Sequence, residues 1–402
     1  MYDTLISVSA PSQGSAAVPL FNIMRQVPSL LSWVGGAISN DPAVNGAGFS
    51  AMLSEMGALG RAECKLPAGE IPLSSGAAFS GNNVRLCGAG PNQTILNFGP
   101  DTVDGLTDTG TGNRIEGVGA ISAGCGSVFK FNGAESPTIK SVAVFGGTTA
   151  LEVTGNSGAV IADDIRLNSF STRGFWAHDG VQGVSVSNMQ INAGSYTMGS
   201  VGCIVLERFS SALRMANIEA LKGARSLVCD AIDTGDVTCP AYGTFTSVYL
   251  DDGAMGSLIK RSKLMEFVGC WFSGGRTGAG YPCLDIDDCQ SVNVTSTRFM
   301  LGGSYGVQHG AGNRGIEYRG CTAADSGFTA GAGRGISFAA GSRQFSVIGG
   351  RMANGIYSGG RQSYGLVVPY CDDYRIIAPD LTGNLAGPIY EIGSPIARTV
   401  IL

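Results

Sequence analysis

GFWAHDGVQGVSVSN (Gly174–Asn188) decides the fold. Phe175 and Ala177 alternate with Trp176 and His178, glycines at 180 and 183 mark a turn, and Val184 and Val186 alternate with Ser185 and Ser187. Period-2 alternation on both sides of a glycine turn describes two short half-buried strands. The same two beats recur in GCIVLERFSSALRMAN (Gly202–Asn217), CLDIDDCQSVNVTS (Cys283–Ser296), GVQHGAGNRGIEYRG (Gly306–Gly320) and GISFAAGSRQFSVIGG (Gly335–Gly350). Successive units lie 23 residues apart from Leu284 to Val307 and 29 from Phe175 to Ile204, a length that suits three short strands per turn of a coil. One such turn cannot bury its inward side chains alone, so turns must stack, each strand parallel to its equivalent about 4.8 Å above. The prediction is an all-β protein, a single-stranded right-handed parallel β-helix.

Composition agrees. The 402 residues are 44% hydrophobic and 14% charged, with 62 glycines in no strict every-third-residue order, which excludes disorder, collagen and a helical bundle. The balance of 26 basic against 31 acidic residues gives no electrostatic reason to expect nucleic acid, so the expected partner is neutral or weakly charged. Eleven cysteines without a Cys-x-x-Cys pair suggest buried thiols rather than zinc or redox chemistry, and no cofactor is expected. The start of the chain lacks the pattern of a signal peptide, and the apolar run Leu30 to Ile38 is too short to span a bilayer. Synthesis in the cytoplasm and no membrane insertion are the expectations.

Phe49, Met52, Leu53 and Met56 fall at helical spacing and predict an amphipathic helix ending near Gly57 and Gly60, placed to cover the open end of the stack. The expected organisation is a docking segment over residues 1–40 with exposed apolar anchors, a capping helix and entry loop over 41–62, and the β-helix over 63–402. Asn188, Asn217, Cys270, Thr297 and Cys321 fall at similar turn positions and predict an internal ladder that satisfies turn backbone groups.

The order of a short helix, the segment KLPAGEIPL (Lys65–Leu73) and NNVRLCGAGPNQTIL (Asn82–Leu96) resembles the pectate-lyase-like β-helix superfamily, phage tailspikes in particular. The resemblance runs from about residue 41 to the end. It implies a homotrimer bound to host surface polysaccharide, capsule or lipopolysaccharide, carried on the virion tail and attached to tail or baseplate proteins through the N-terminal segment. It fixes no chemistry, because the superfamily contains lyases, hydrolases, deacetylases and non-catalytic adhesins.

The repeat assigns faces to the acidic residues. If Leu151, Phe175, Ile204, Val248 and Leu284 all point inward on first strands, one outward column presents His178, Glu207, Asp251 and Asp287 on consecutive coils. The neighbouring column presents Trp176, Tyr249 and Asp285, with Gln308 above. Rungs about 4.8 and 9.6 Å apart match the carboxylate separations of retaining and inverting glycosidases. Glu207 and Asp287 would then be the acid/base pair of an inverting enzyme, Asp251 the partner in a retaining one, and Trp176, His178, Tyr249, Asp285 and Gln308 the sugar-binding side chains. A solvated face, a calcium site or a trimer contact fits the same columns, as does a virion adhesin without catalysis. A lyase would need a base such as Arg208, Arg261 or Arg298.

Two histidines, 178 and 309, exclude imidazole-rich metal sites. Ser304 sits in a G-x-S-x-G string without the strand-turn-helix context of a nucleophile elbow. CDAIDTGDVTC (Cys229–Cys239) reads as an excursion below Asp251, with Cys229 and Cys239 the best placed to pair.

Overall fold

The computed structural model describes residues 29–60, 62–100, 103–194, 202–208, 211–230, 241–274, 280–327, 333–355 and 361–402. Among these, the strands form two long sheets of 19 and 13 members, and every pairing between them is parallel. The chain is a right-handed parallel β-helix, the hand that crossovers between parallel strands adopt.

Each coil places one short strand in the thirteen-stranded sheet and one or two in the other. On the inward side of the short sheet, Leu151 lies in register with Phe175, Phe175 with Ile204, and Ile204 with Leu227. Higher up, Ser257 precedes Leu284, which aligns with Val307, Ile336 and Leu366 in turn. The second beat is equally continuous, Val184 with Leu213 and Val292 with Ile316, Phe345 and Tyr374. These side chains form one core along the axis, including the stacked rings of Phe338, Phe345 and Tyr374.

Two strands escape the sequence pattern. Leu227–Asp230 and Ser257–Lys260 are full members of the short sheet, so the stretch after Ile218 contains a coil of its own rather than a single excursion. The second coil hides because Ser257, buried with no partner for its hydroxyl, occupies an inward position that the neighbouring coils fill with Leu, Ile, Val or Phe. Residues 231–240 lie outside the described residues, Cys239 among them. Cys229 is a buried thiol that faces the core, and the pairing considered for it with Cys239 lies outside the described residues.

The predicted turn ladder divides into two. Asn188 and Asn217 sit at φ 53 and 56 in a bend midway along the long sheet, exposed to solvent. Asparagine tolerates this left-handed conformation better than most residues. Cys270, Thr297 and Cys321 lie one position further on, where they are buried and donate to the carbonyls of Val268, Thr295 and Arg319. They are the internal ladder. Burial pushes the thiols of Cys270 and Cys321 up to about 11.

Pro42–Leu59 is the capping helix. Asp41 caps it by accepting the amide of Ala43 at 2.9 Å, Pro42 opens it and Gly60 at φ 72 closes it. Phe49, Met52, Leu53 and Met56 all point into the end of the core. Of the docking segment, residues 1–28 lie outside the described residues. Leu30 is fully buried, and Trp33, Val34 and Ile38 pack against the same core, so these apolar residues help to close the stack instead of standing exposed.

Candidate functional site

The outer face of the thirteen-stranded sheet carries most of the predicted site residues, in an order different from the one expected. Val248, Tyr249 and Asp251 belong to the other sheet, where Tyr249 aligns with Glu219 and Asp251 with Leu221. The cause is a single long strand, Ala241–Gly253, which runs through both halves of the long sheet, so that its second half reads like the opening of a coil. Asp251 is therefore removed from the column, and its carboxylate accepts the hydroxyl of Ser273 and the amide of Asp252. The true column runs Glu207, Asp230, Lys260, Asp287. Glu207 and Asp287 are three rungs apart, about 14 Å along the axis. That exceeds the roughly 9.5 Å upper limit of an inverting pair.

Two patches remain on this face. The lower one is a ladder of alternating acidic and basic side chains. Lys130 bridges Asp104 at 3.2 Å and Glu152 at 3.3 Å, Glu152 meets His178 Nε2 at 3.1 Å, His178 Nδ1 meets Asp179 at 2.7 Å, and Asp179 meets Arg208 at 2.9 Å. Ser127 donates a further short hydrogen bond to Glu152. The Trp176 indole N–H donates to Glu207 at 2.8 Å. Its ring stacks on His178 at 3.6 Å between centroids, with the Arg173 guanidinium 3.9 Å from its centroid. Trp176, His178 and Glu207 thus meet as the sequence suggests, and each is engaged by the protein.

Burial is the largest influence on Glu152 and by itself raises its carboxyl, but His178, Ser127 and Lys130 together outweigh it and hold the group below the usual glutamate range. Lys130 is raised by Glu152 and Asp104 against the larger opposing effect of its own burial. Glu152 was legible as an outward position beside Leu151. Nothing in the sequence shows that a lysine one coil below and a histidine one coil above converge on it, which the registers Lys130 to Glu152 and Glu152 to Trp176 bring about.

The upper patch gathers Asp285, Asp287, Lys260 and Gln308. Asp285 lies between Leu258 and Gln308 in register, and Asp287 projects from the same side of the same strand two residues on. Lys260 meets Asp287 at 3.3 Å. Asp285 takes the opposite path: burial raises its carboxyl, Asp287 adds to the rise, and Arg225 and Lys260 only partly oppose it. Arg225 is itself lowered by burial. One aspartate is thus salt-bridged while its neighbour is biased towards holding its proton.

His309 belongs to neither patch. It faces the core, its Nε2 lies 2.8 Å from Tyr318 Oη, and burial pushes it down to about 3. The Ser304 hydroxyl is buried without a partner, bonded to neither histidine, so no serine triad forms. Among the described residues no cluster of three or more His, Cys, Asp or Glu side chains is arranged to hold a metal ion, and no helix is long and apolar enough to cross a membrane.

No family model and no curated protein matches this sequence. Solved structures do match in fold. The A-module of mannuronan C-5 epimerase AlgE6 from Azotobacter vinelandii superposes with TM-score 0.60 at 14% identity, over 93% of this chain and 97% of that one. The Dettilon tailspike protein gives 0.58 at 11% identity, over 96% of this chain and 72% of the other. The catalytic unit of a GH87 α-1,3-glucanase from Streptomyces thermodiastaticus gives 0.52 at 13% identity, over 97% and 70%. At such identities the likeness establishes the pectate-lyase-like β-helix fold and nothing finer.

Proposed function

We propose that the chain is a tailspike-like virion protein that binds host surface polysaccharide and hydrolyses it on the outer face of the thirteen-stranded sheet, with Asp285 as general acid and Asp287 as general base. The observation that carries this reading is the contrast within one strand. Two carboxyl groups project from one face, Asp287 paired with Lys260 at 3.3 Å and Asp285 without that contact and raised by burial, so the two are held differently within one strand.

Their Cα positions are roughly 6.6 Å apart, two residues along a strand. Carboxyl groups at about 6.5–9.5 Å leave room for the attacking water of an inverting hydrolysis. Asp285 gives its proton to the departing glycosidic oxygen, and Asp287 takes a proton from the water that attacks the anomeric carbon on the opposite side. Lys260 holds Asp287 in place through their 3.3 Å contact, and Gln308 lies one rung above Asp285 to orient a sugar hydroxyl. The names of three structural neighbours, an epimerase of a polyuronide, a glucanase and a tailspike, support a polysaccharide as substrate class. Trimerisation and attachment through residues 1–28 complete the tailspike reading.

The test is reducing-sugar release from a panel of purified capsular polysaccharides and lipopolysaccharides, comparing wild type with Asp285→Asn, Asp287→Asn and Glu207→Gln. The first two are expected to abolish release with folding intact, and the third to retain it. Tight binding to host cells with no release from any panel member would replace the hydrolase by a virion adhesin. Sedimentation as a monomer at micromolar concentration would count against the tailspike.

A further inference from the structure

The bend of the long sheet, on the other sheet from both patches, forms a groove of about 640 Å³. Asn188 and Asn217 make its floor at the left-handed bend, with Asn217 donating to Asn188 at 3.4 Å. Directly beyond the bend, one side chain per coil lines the groove in strict register: Arg166, Gln190, Glu219 and Tyr249. All four are exposed, Tyr249 at 53%, and none hydrogen-bonds or pairs with another described residue. One rung further, Trp271 aligns with Tyr249, and its indole N–H also has no partner.

We infer that this groove is a second, non-catalytic binding track for an extended neutral polysaccharide. Arg166 and Glu219 carry opposite charges two rungs apart on either side of Gln190, and Asp164 beside them leaves the lining one charge negative, which repels a polyanion and is too small to draw in a polycation. It does offer guanidinium and amide donors with amide and carboxylate acceptors, the groups that meet hydroxyl and acetamido substituents. Rungs about 4.8 Å apart place one such side chain opposite each successive sugar ring of an extended chain. Tyr249 provides an apolar ring face with a polar tip at the end of the row. The β-sheet holds the backbone of every contributor, so little ordering is needed when the ligand arrives.

The track is independent of the proposed cleavage, and its test is built to stay so. Binding is measured in the Asp285→Asn/Asp287→Asn double variant, on a printed array of purified bacterial O-antigen and capsular polysaccharides, followed by surface plasmon resonance on the strongest signals. Tyr249→Ala and Gln190→Ala are each expected to weaken binding on the order of tenfold. Tyr249→Phe keeps the ring face and is expected to retain most of it, which separates loss of the platform from loss of fold. Unchanged binding in the alanine variants, or no array binding by the parent, overturns the inference. A changed sedimenting species in the same variants also overturns it, by assigning the groove to contact between copies of the chain.

Discussion

The two patches on the outer face of the thirteen-stranded sheet are built from the same residue types and treat them in opposite ways. In the lower patch, Asp104, Lys130, Glu152, His178, Asp179 and Arg208 form an unbroken chain of contacts in which each acidic side chain meets a basic one. In the upper patch, Lys260 pairs with Asp287 while Asp285 stands next to Asp287 and is raised by burial. In the first every acid has a basic partner. In the second Asp285 has no ion pair of its own among the described residues, which is what the proposed acid and base rest on. Proximity of acids is therefore a poor guide to a site unless the pairing of each is also known.

The sharpest way to break this comparison is to remove each patch's carboxylate in turn. Asp285→Asn is expected to cut the rate of polysaccharide cleavage by about 10²–10⁴-fold, the range of a lost general acid, at unchanged melting temperature. Glu152→Gln is expected to leave the rate within about twofold and instead to destabilise the protein by about 3 kcal/mol in denaturant titration, because Lys130 and His178 lose a buried partner. Equal loss of rate in both would dissolve the distinction.

The pH dependence separates the patches further. Glu152 is held below its ordinary value of 4.5, so its contribution to stability is present above 4.5 and is lost as pH falls through the folded value. Thermal melts from pH 7 to pH 3 are expected to show a steeper acid loss in wild type than in Glu152→Gln. Asp285 is raised, so cleavage that needs its proton is expected to decline as pH increases through that elevated value. A profile flat to high pH would remove Asp285 from the role of acid. The smallest expected effect lies in the core: Ser257→Ala removes an unpartnered buried hydroxyl and is expected to stabilise the chain by about 0.5–1 kcal/mol, read as a shift in the denaturation midpoint.

How far the sequence reaches can be traced through particular residues. The inward column from Leu151 to Ile204 and from Leu284 to Leu366 is legible because each member is large and apolar and lies eight or nine residues before the matching apolar residue of the next strand. The coil at Ser257 was not, since one small polar residue at an inward position silences the alternation. Tyr249 and Asp251 were assigned to the wrong sheet because their local pattern is identical in either. Asp285 lies beside Asp287 as the order of residues implies, while its burial and the approach of Arg225 are invisible in that order. Trp176 is expected to offer its face to a sugar, and the neighbours that pack on it are Arg173 at the start of its own strand and His178 just past its end.

By itself the sequence determined that this chain coils, that the coil is capped at its first turn, and which side chains of most turns point inward. Those features follow from burying apolar groups at period 2, which local order alone prescribes. Only the tertiary structure decided how many turns separate two acids, which charges find partners, and which face is left unpaired. A rung count changes every outward neighbour above it, and a carboxyl's proton depends on burial and on charges that arrive from other coils.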